Sequence, residues 1–330
     1  MATLEVTTKA LAETMGAIQI GVLFNSFIFG ILFMQWVTYF TSKFKDSWPI
    51  RALVYWVIAV DVFHVALSWQ YVWMYTVDQF GDFATLYAAH WQYDSSPIFI
   101  VVTAVPTQMF LVNRTRKMLG RQHPILANGI FALVTVLGII QLVLGLYESF
   151  SLLITVKSTA QYAQFIPIAV AWESVAIAAD MTVMLSFIAT LVYRRTGFKQ
   201  TDWMLFNLML VAVECALPVT LFTIGHISAV ISSPTTGMHQ LFAWSQARLY
   251  SNTLFVNLNS RNKLRKGQDT THGTSGNVQE VNFLTMDRHG INSRSNRPQV
   301  HIDVIREEHY AMDSISNKDS DPDFKPVAHV

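Results

Sequence analysis

Asp61, His64, Glu173, Asp180, Glu214 and Arg248 are ionisable side chains that all fall inside long apolar runs of the sequence. In hydrocarbon each such group costs at least about 2.5 kcal/mol at mid-depth, so each needs a partner or a purpose. Spacing sorts them. His64 lies three residues after Asp61, and Glu173 lies two helical turns before Asp180, so each pair shares one helix face. Arg248 keeps its proton under all ordinary conditions, and Asn252 and Asn259 follow it on the same face. Four carboxyls set against one guanidinium cannot all ionise unless a further cation joins them, so some are expected to be protonated. The candidate intramembrane polar cluster is Asp61, His64, Asp180, Glu214, Arg248 and Asn252. Its chemistry is either transfer of protons or cations between carboxyls or hydrogen bonding that holds helices together.

Other chemistries lack their residues. No His-Glu-x-x-His, Gly-x-Ser-x-Gly or glycine-rich phosphate loop occurs, and no intramembrane serine or cysteine has an evident base beside it in the sequence, so no enzymatic activity is expected. The last apolar run has no lysine, which excludes a retinal Schiff base. His226 and His239, near the rim of their runs, read as interfacial side chains without the pairing of a metal site. The single cysteine, Cys215, sits in an apolar run and forms no intrachain disulfide. No metal or cofactor is expected. A net charge of +1, with no basic stripe, argues against nucleic acid.

The elements that carry these residues are helices. The chain has 330 residues, of which 52% are hydrophobic and only 14% charged. Runs at 17–40, 51–75, 97–113, 126–147, 165–193, 203–228 and 235–258 are each long enough, or nearly so, to cross a hydrocarbon layer about 30 Å thick. Backbone groups cannot go unpaired there, so the runs must be helical. The expected fold is all-α, a polytopic membrane bundle of seven transmembrane helices. Ser47, Ser96 and Ser233 precede prolines and read as helix caps, whereas Pro106 and Pro218 interrupt the third and sixth spans. Fourteen lysines and arginines fall in or beside one set of connections and two in the alternate set, Lys9 and Lys157. Basic residues resist translocation, so the N-terminus is expected outside and the C-terminus in the cytoplasm. This divides the chain into an extracytoplasmic segment 1–16, a transmembrane domain 17–266 and a disordered cytoplasmic tail 267–330, poor in large apolar residues. Within that tail Val300–Ile305 alternates weakly. The expected setting is the plasma membrane or a secretory-pathway membrane. The lipid bilayer is the main partner, and cytoplasmic proteins are reached through the tail.

Several stretches resemble one family. They are Met15–Ala17 leading into Gly21, Gly30–Gln35 with Tyr39 and Phe40, Lys45 and Asp46, Asp61 with His64, and Phe80 and Gly81. The second half adds Gln108 with Phe110, Asn113 and Arg114, then Arg248–Asn252 and Asn257–Arg261. Together they resemble the basidiomycete seven-span membrane proteins catalogued as a domain of unknown function, over roughly residues 15–265. The resemblance implies fungal origin and seven helices but no activity. On topology the chain reads as a receptor or sensor, although it lacks the Asp-Arg-Tyr and Asn-Pro-x-x-Tyr signatures. A proton- or cation-coupled transporter using mid-membrane carboxylates is one alternative, and a structural or lipid-organising protein another. A reporter fused after Lys266 is expected to report cytoplasm, and a sequon placed well clear of the membrane between Asp82 and Asp94 to be glycosylated. The reverse pattern would invert the whole topology.

Overall fold

The computed structural model describes residues 2–120, 122–193, 199–233 and 236–271. Every element among them is helical apart from one isolated bridge, Ala88 to Ser158. The helices are α1 (Ala2–Thr41), α2 (Trp48–Trp73), α3 (Phe83–Tyr87), α4 (Trp91–Asp94), α5 (Ser96–Leu119), α6 (Pro124–Thr155), α7 (Ile166–Tyr193), α8 (Lys199–Ser232) and α9 (Gln240–Thr271). A π-helical turn, Met74–Asp78, extends α2, and a 3₁₀ segment, Thr159–Phe165, leads into α7. Most of the segment expected as a tail, from residue 272 on and including Val300–Ile305, lies outside the described residues, while residues 267–271 continue α9.

Six stretches are long and apolar enough to cross a bilayer among the described residues: Glu13–Thr41, Trp48–Asp78, Trp91–Leu119, Pro124–Thr155, Thr159–Tyr193 and Met209–Ser232. Their outward faces stay apolar. On α1, Ile20, Leu23, Phe27, Ile31 and Met34 are exposed, while Ile18, Val22, Asn25, Leu32 and Tyr39 are buried at the three-to-four residue spacing of one helix face. A helix apolar on both faces has hydrocarbon on one side and protein on the other.

α9 differs in kind. Ser245, Gln246, Arg248, Ser251 and Asn257 are all buried along it, as are Trp244, Leu254 and Phe255. It packs against α1, α2, α5 and α8, which wall it from the surroundings. The polarity that keeps α9 out of the set of apolar spans is therefore tolerated, because its side chains meet protein rather than lipid. It opens at Gln240, later than the expected start at 235, after a turn in which Gly237 has φ +33°.

The predicted caps behave differently from expectation. Ser47 holds the N-cap position of α2, but its side chain makes no capping hydrogen bond. Ser96 falls inside α5, and its hydroxyl lies 3.2 Å from His64 of α2. Pro234 lies outside the described residues. The prolines inside α5 and α8 do not end their helices. Pro106 lacks the N–H that would bond the carbonyl four residues back, Val102, and the Trp56 indole of α2 donates to that oxygen at 3.0 Å. A disrupted helix bond thus becomes a contact between helices.

Without a hydrophobic drive between helices in lipid, close approach depends on small residues. Gly21 of α1 is such a point, since a Cβ there would lie 2.9 Å from the Gln240 oxygen and 3.0 Å from the Leu241 Cα, both backbone atoms. Gly145 of α6 is another, against Val101 and Trp172. Gly21→Ala should push α1 off α9 and cost about 1–3 kcal/mol, read as a lowered unfolding temperature in detergent. Gly30→Ala, with nothing within 4 Å of the new methyl, should be neutral or slightly stabilising.

Candidate functional site

Two polar faces run along α9. On the first, Arg248 is completely buried. Its Nη1 lies 2.5 Å from His64 Nδ1, its Nη2 donates to the Asp61 carbonyl at 3.1 Å, and its Nε stands 3.8 Å from Asp61 Oδ1. A guanidinium can only donate, so His64 Nδ1 accepts and the ring is neutral with its proton on Nε2, which donates to Ser96 Oγ at 3.2 Å. The ring stacks on Phe99 at 4.9 Å, which fixes its plane. Asp61 is the counter-ion at ion-pair distance. Arg248, Asp61 and His64 therefore form a closed unit joining α9 to α2, with Ser96 tying in α5.

Farther along this face the partner changes to α1. Gln35 Nε2 donates to Asn252 Oδ1 at 2.5 Å, and Asn259 Nδ2 donates to the Gln35 carbonyl at 2.9 Å. Asn252 shares a face with Arg248 but is not brought into its cluster, because α9 passes from α2 to α1 within that turn. In the loop after α1 that bears Lys43 and Lys45, Asp46 accepts from Tyr39 at 2.8 Å and from Arg261 Nη1 and Nη2 at 2.5 and 2.9 Å. Burial tends to raise the Asp46 pKa, but these hydrogen bonds and the charges of Arg261 and Arg51 outweigh it and hold the carboxyl below its usual range. Its contribution to stability is present above the ordinary aspartate pKa and is lost as the pH falls through the lowered one.

The second face looks toward α7 and α8. Gln246 Nε2 donates to Glu173 at 3.0 and 3.2 Å and lies 3.3 Å from Thr223. His226 Nδ1 of α8 meets Glu173 Oε1 at 2.9 Å. One turn on, Tyr250 donates to Asp180 Oδ2 and Gln108 of α5 to Asp180 Oδ1, each at 2.7 Å. Two turns farther, Arg114 Nη1 donates to Asn257 Oδ1 at 3.3 Å. Two cavities open beside this face. One of about 40 Å³ is lined by Gln108, Asp180, Tyr250 and Asn257, and one of about 50 Å³ by Tyr93, Glu148, Tyr162, His226 and His239.

The expected single cluster is thus divided. Arg248 takes Asp61 and His64; Asp180 joins a separate set with Gln108 and Tyr250. Glu214 is exposed on α8 and belongs to neither. His226 and His239, expected at the interface, are buried. Glu148 was not singled out from the sequence, although Gln141, Gly145 and Glu148 mark one face of the otherwise apolar α6. Gln246 and Tyr250 were missed as well. Their spacing with Thr253 and Asn257 defines a face distinct from that of Arg248.

Residues 176–263 match a family described as a family of unknown function, DUF6534. The matched stretch runs from within α7 to within α9 and includes Asp180, His226, Gln246, Arg248 and Tyr250. No curated protein and no solved structure matches the chain.

Arg248→Met should leave Asp61 without a counter-ion and His64 without a donor, costing about 3–5 kcal/mol if the carboxylate stays charged and less if it protonates. Adding Asp61→Asn should recover part of the loss. Equal stability of Arg248→Met and parent, across the pH range in which carboxyls titrate, would show that this unit does not hold the bundle.

Proposed function

We propose that the chain crosses the membrane seven times, with α9 as the seventh span, the N-terminus outside and the C-terminus in the cytoplasm, and that it is a proton- or cation-coupled transporter. The enclosure of α9 supports the seventh crossing: a helix walled by spans on all sides runs with them. The asymmetry of basic residues supports the orientation. A fungal seven-span protein of the plasma membrane or secretory pathway, its basic loops facing anionic inner-leaflet lipid, is consistent with this reading.

The observation that carries the transport reading is the ladder of two carboxyls on α7, Glu173 buried and Asp180 half-buried. Glu173 and Asp180 lie two turns apart on one face, and each oxygen is met by a neutral donor or an imidazole, not by a lysine or arginine. A carboxyl held this way can gain or lose a proton without breaking an ion pair. Asp61, locked to Arg248, has no such freedom and serves the frame. Chains of buried Asp, Glu and His mark proton relays in membrane proteins. Asp180 lines one cavity, His226 beside Glu173 lines the other, and the ladder ends toward Arg114. A receptor shares the topology, but that argument is analogy alone.

In liposomes loaded with a pH-sensitive dye, the purified chain should pass protons under an imposed membrane potential. Asp180→Asn and Glu173→Gln should lose most of that flux, while Glu214→Gln, exposed and outside the ladder, should keep it. A parent flux no greater than that of protein-free liposomes would end the reading.

A further inference from the structure

The cavity of about 50 Å³ lies at the end of the bundle opposite the Lys43–Lys45 loop, where α6 ends and α7 and α9 begin. Three side chains that line it carry a buried polar atom with no hydrogen-bond partner: Glu148 Oε2, His226 Nε2 and His239 Nδ1. All three residues are more than nine-tenths buried. Leaving one such group unpaired costs about 1–3 kcal/mol, and here three face the same space.

Two of the three atoms ask for one kind of ligand. His226 Nδ1 faces Glu173 Oε1 at 2.9 Å, and a carboxylate accepts, so in the neutral ring Nδ1 carries the hydrogen and Nε2 is a bare lone pair. Glu148 Oε2 is likewise an acceptor when ionised. An ionised Glu148 and His226 Nε2 are two acceptors lining one space, which a donor satisfies. The lining includes no lysine or arginine, whereas Glu173 stands directly behind His226 and Asp94 behind Tyr162, whose hydroxyl donates to it at 2.5 Å. The surroundings therefore favour a cation. Tyr93 and Tyr162 present ring surface as well, their centroids 5.5 and 6.4 Å from His239.

The type of cation follows from the same atoms. Alkali and alkaline-earth ions prefer all-oxygen shells, and Glu148, His226 and His239 do not form a group that could hold a metal ion. An ammonium group donates equally well to oxygen and to imidazole nitrogen. One water needs about 10–15 Å³ of such space, so the cavity holds roughly three or four non-hydrogen atoms. We propose that this cavity binds a small organic ammonium ion, of the size of methylammonium or ethylammonium, through Glu148 and His226, with His239 in its wall. The proposal deepens the transport reading and rests on it for the fate of the ligand, since Glu173 is both the neighbour of this site and the first rung of the ladder.

Equilibrium dialysis with radiolabelled methylammonium, on the full chain in lipid nanodiscs at constant ionic strength, tests the site without any flux. Binding should saturate at one ion per chain and be displaced by ethylammonium, but not by potassium or the bulkier tetramethylammonium. Glu148→Gln and His226→Phe should each weaken it about tenfold or more, the loss expected for one hydrogen bond to a charged group. The selectivity of the parent decides the matter even if a variant fails to fold. Unsaturable binding, equal displacement by potassium, or full affinity in a folded Glu148→Gln would overturn the site. Saturable binding in a chain that passes no protons in liposomes would keep the site and end the transport reading. Proton flux without methylammonium binding would do the opposite.

Discussion

A buried permanent charge organises this molecule. Arg248 cannot shed its proton and has no route to water from its position in α9, so the chain must bring it an anion and acceptors. Asp61 and His64 supply them from α2, and Ser96 extends the chain of bonds into α5. Once these bonds are made, the rotation of α9 about its own axis is set. Gln246 and Tyr250 must then look away from α2, toward α7 and α8, where Glu173 and Asp180 wait. The second polar face is a geometrical consequence of the first.

The bundle thereby reverses the arrangement of a water-soluble protein. Large apolar side chains such as Phe27, Val62, Ile139 and Leu221 remain on the outside, and glutamine, serine, asparagine and arginine are inside. Inside, adhesion comes from polar bonds and from glycines that let backbones touch, as at Gly21 against Gln240 and Leu241. The pairing of the Trp56 indole with the carbonyl released by Pro106 follows the same economy, because in lipid an orphaned carbonyl has no solvent to fall back on.

Much of this was legible in the residues, and the limit is physical. Apolar runs foretell helices because nothing else survives in hydrocarbon, and the three-residue step from Asp61 to His64 foretells a shared face. Which helices become neighbours is not written in any spacing. Asn252 shares the face of Arg248, but its partner is Gln35 of α1, a choice made by the crossing of three helices. Glu148 escaped notice because one acidic residue near the end of an apolar run looks like a residue at the water boundary. Only the approach of α7 and α8 turns that end into an interior. Glu214 misled for the converse reason: it lies within an apolar stretch of α8, but its side chain is exposed.

The enclosure of α9 also bears on how the protein is made. The ribosome releases α9 only after every helix that walls it. An arginine at the centre of a lone helix opposes insertion by about 2.5–3.5 kcal/mol, and the asparagines and glutamines of α9 add to that burden. As the proposed seventh span, α9 is therefore a poor client for the insertion machinery by itself. It can settle only when α1, α2 and α5 already offer a slot lined by Gln35, Asp61, His64 and Ser96. Until then that slot is an unfilled seam of polar groups in the newborn chain.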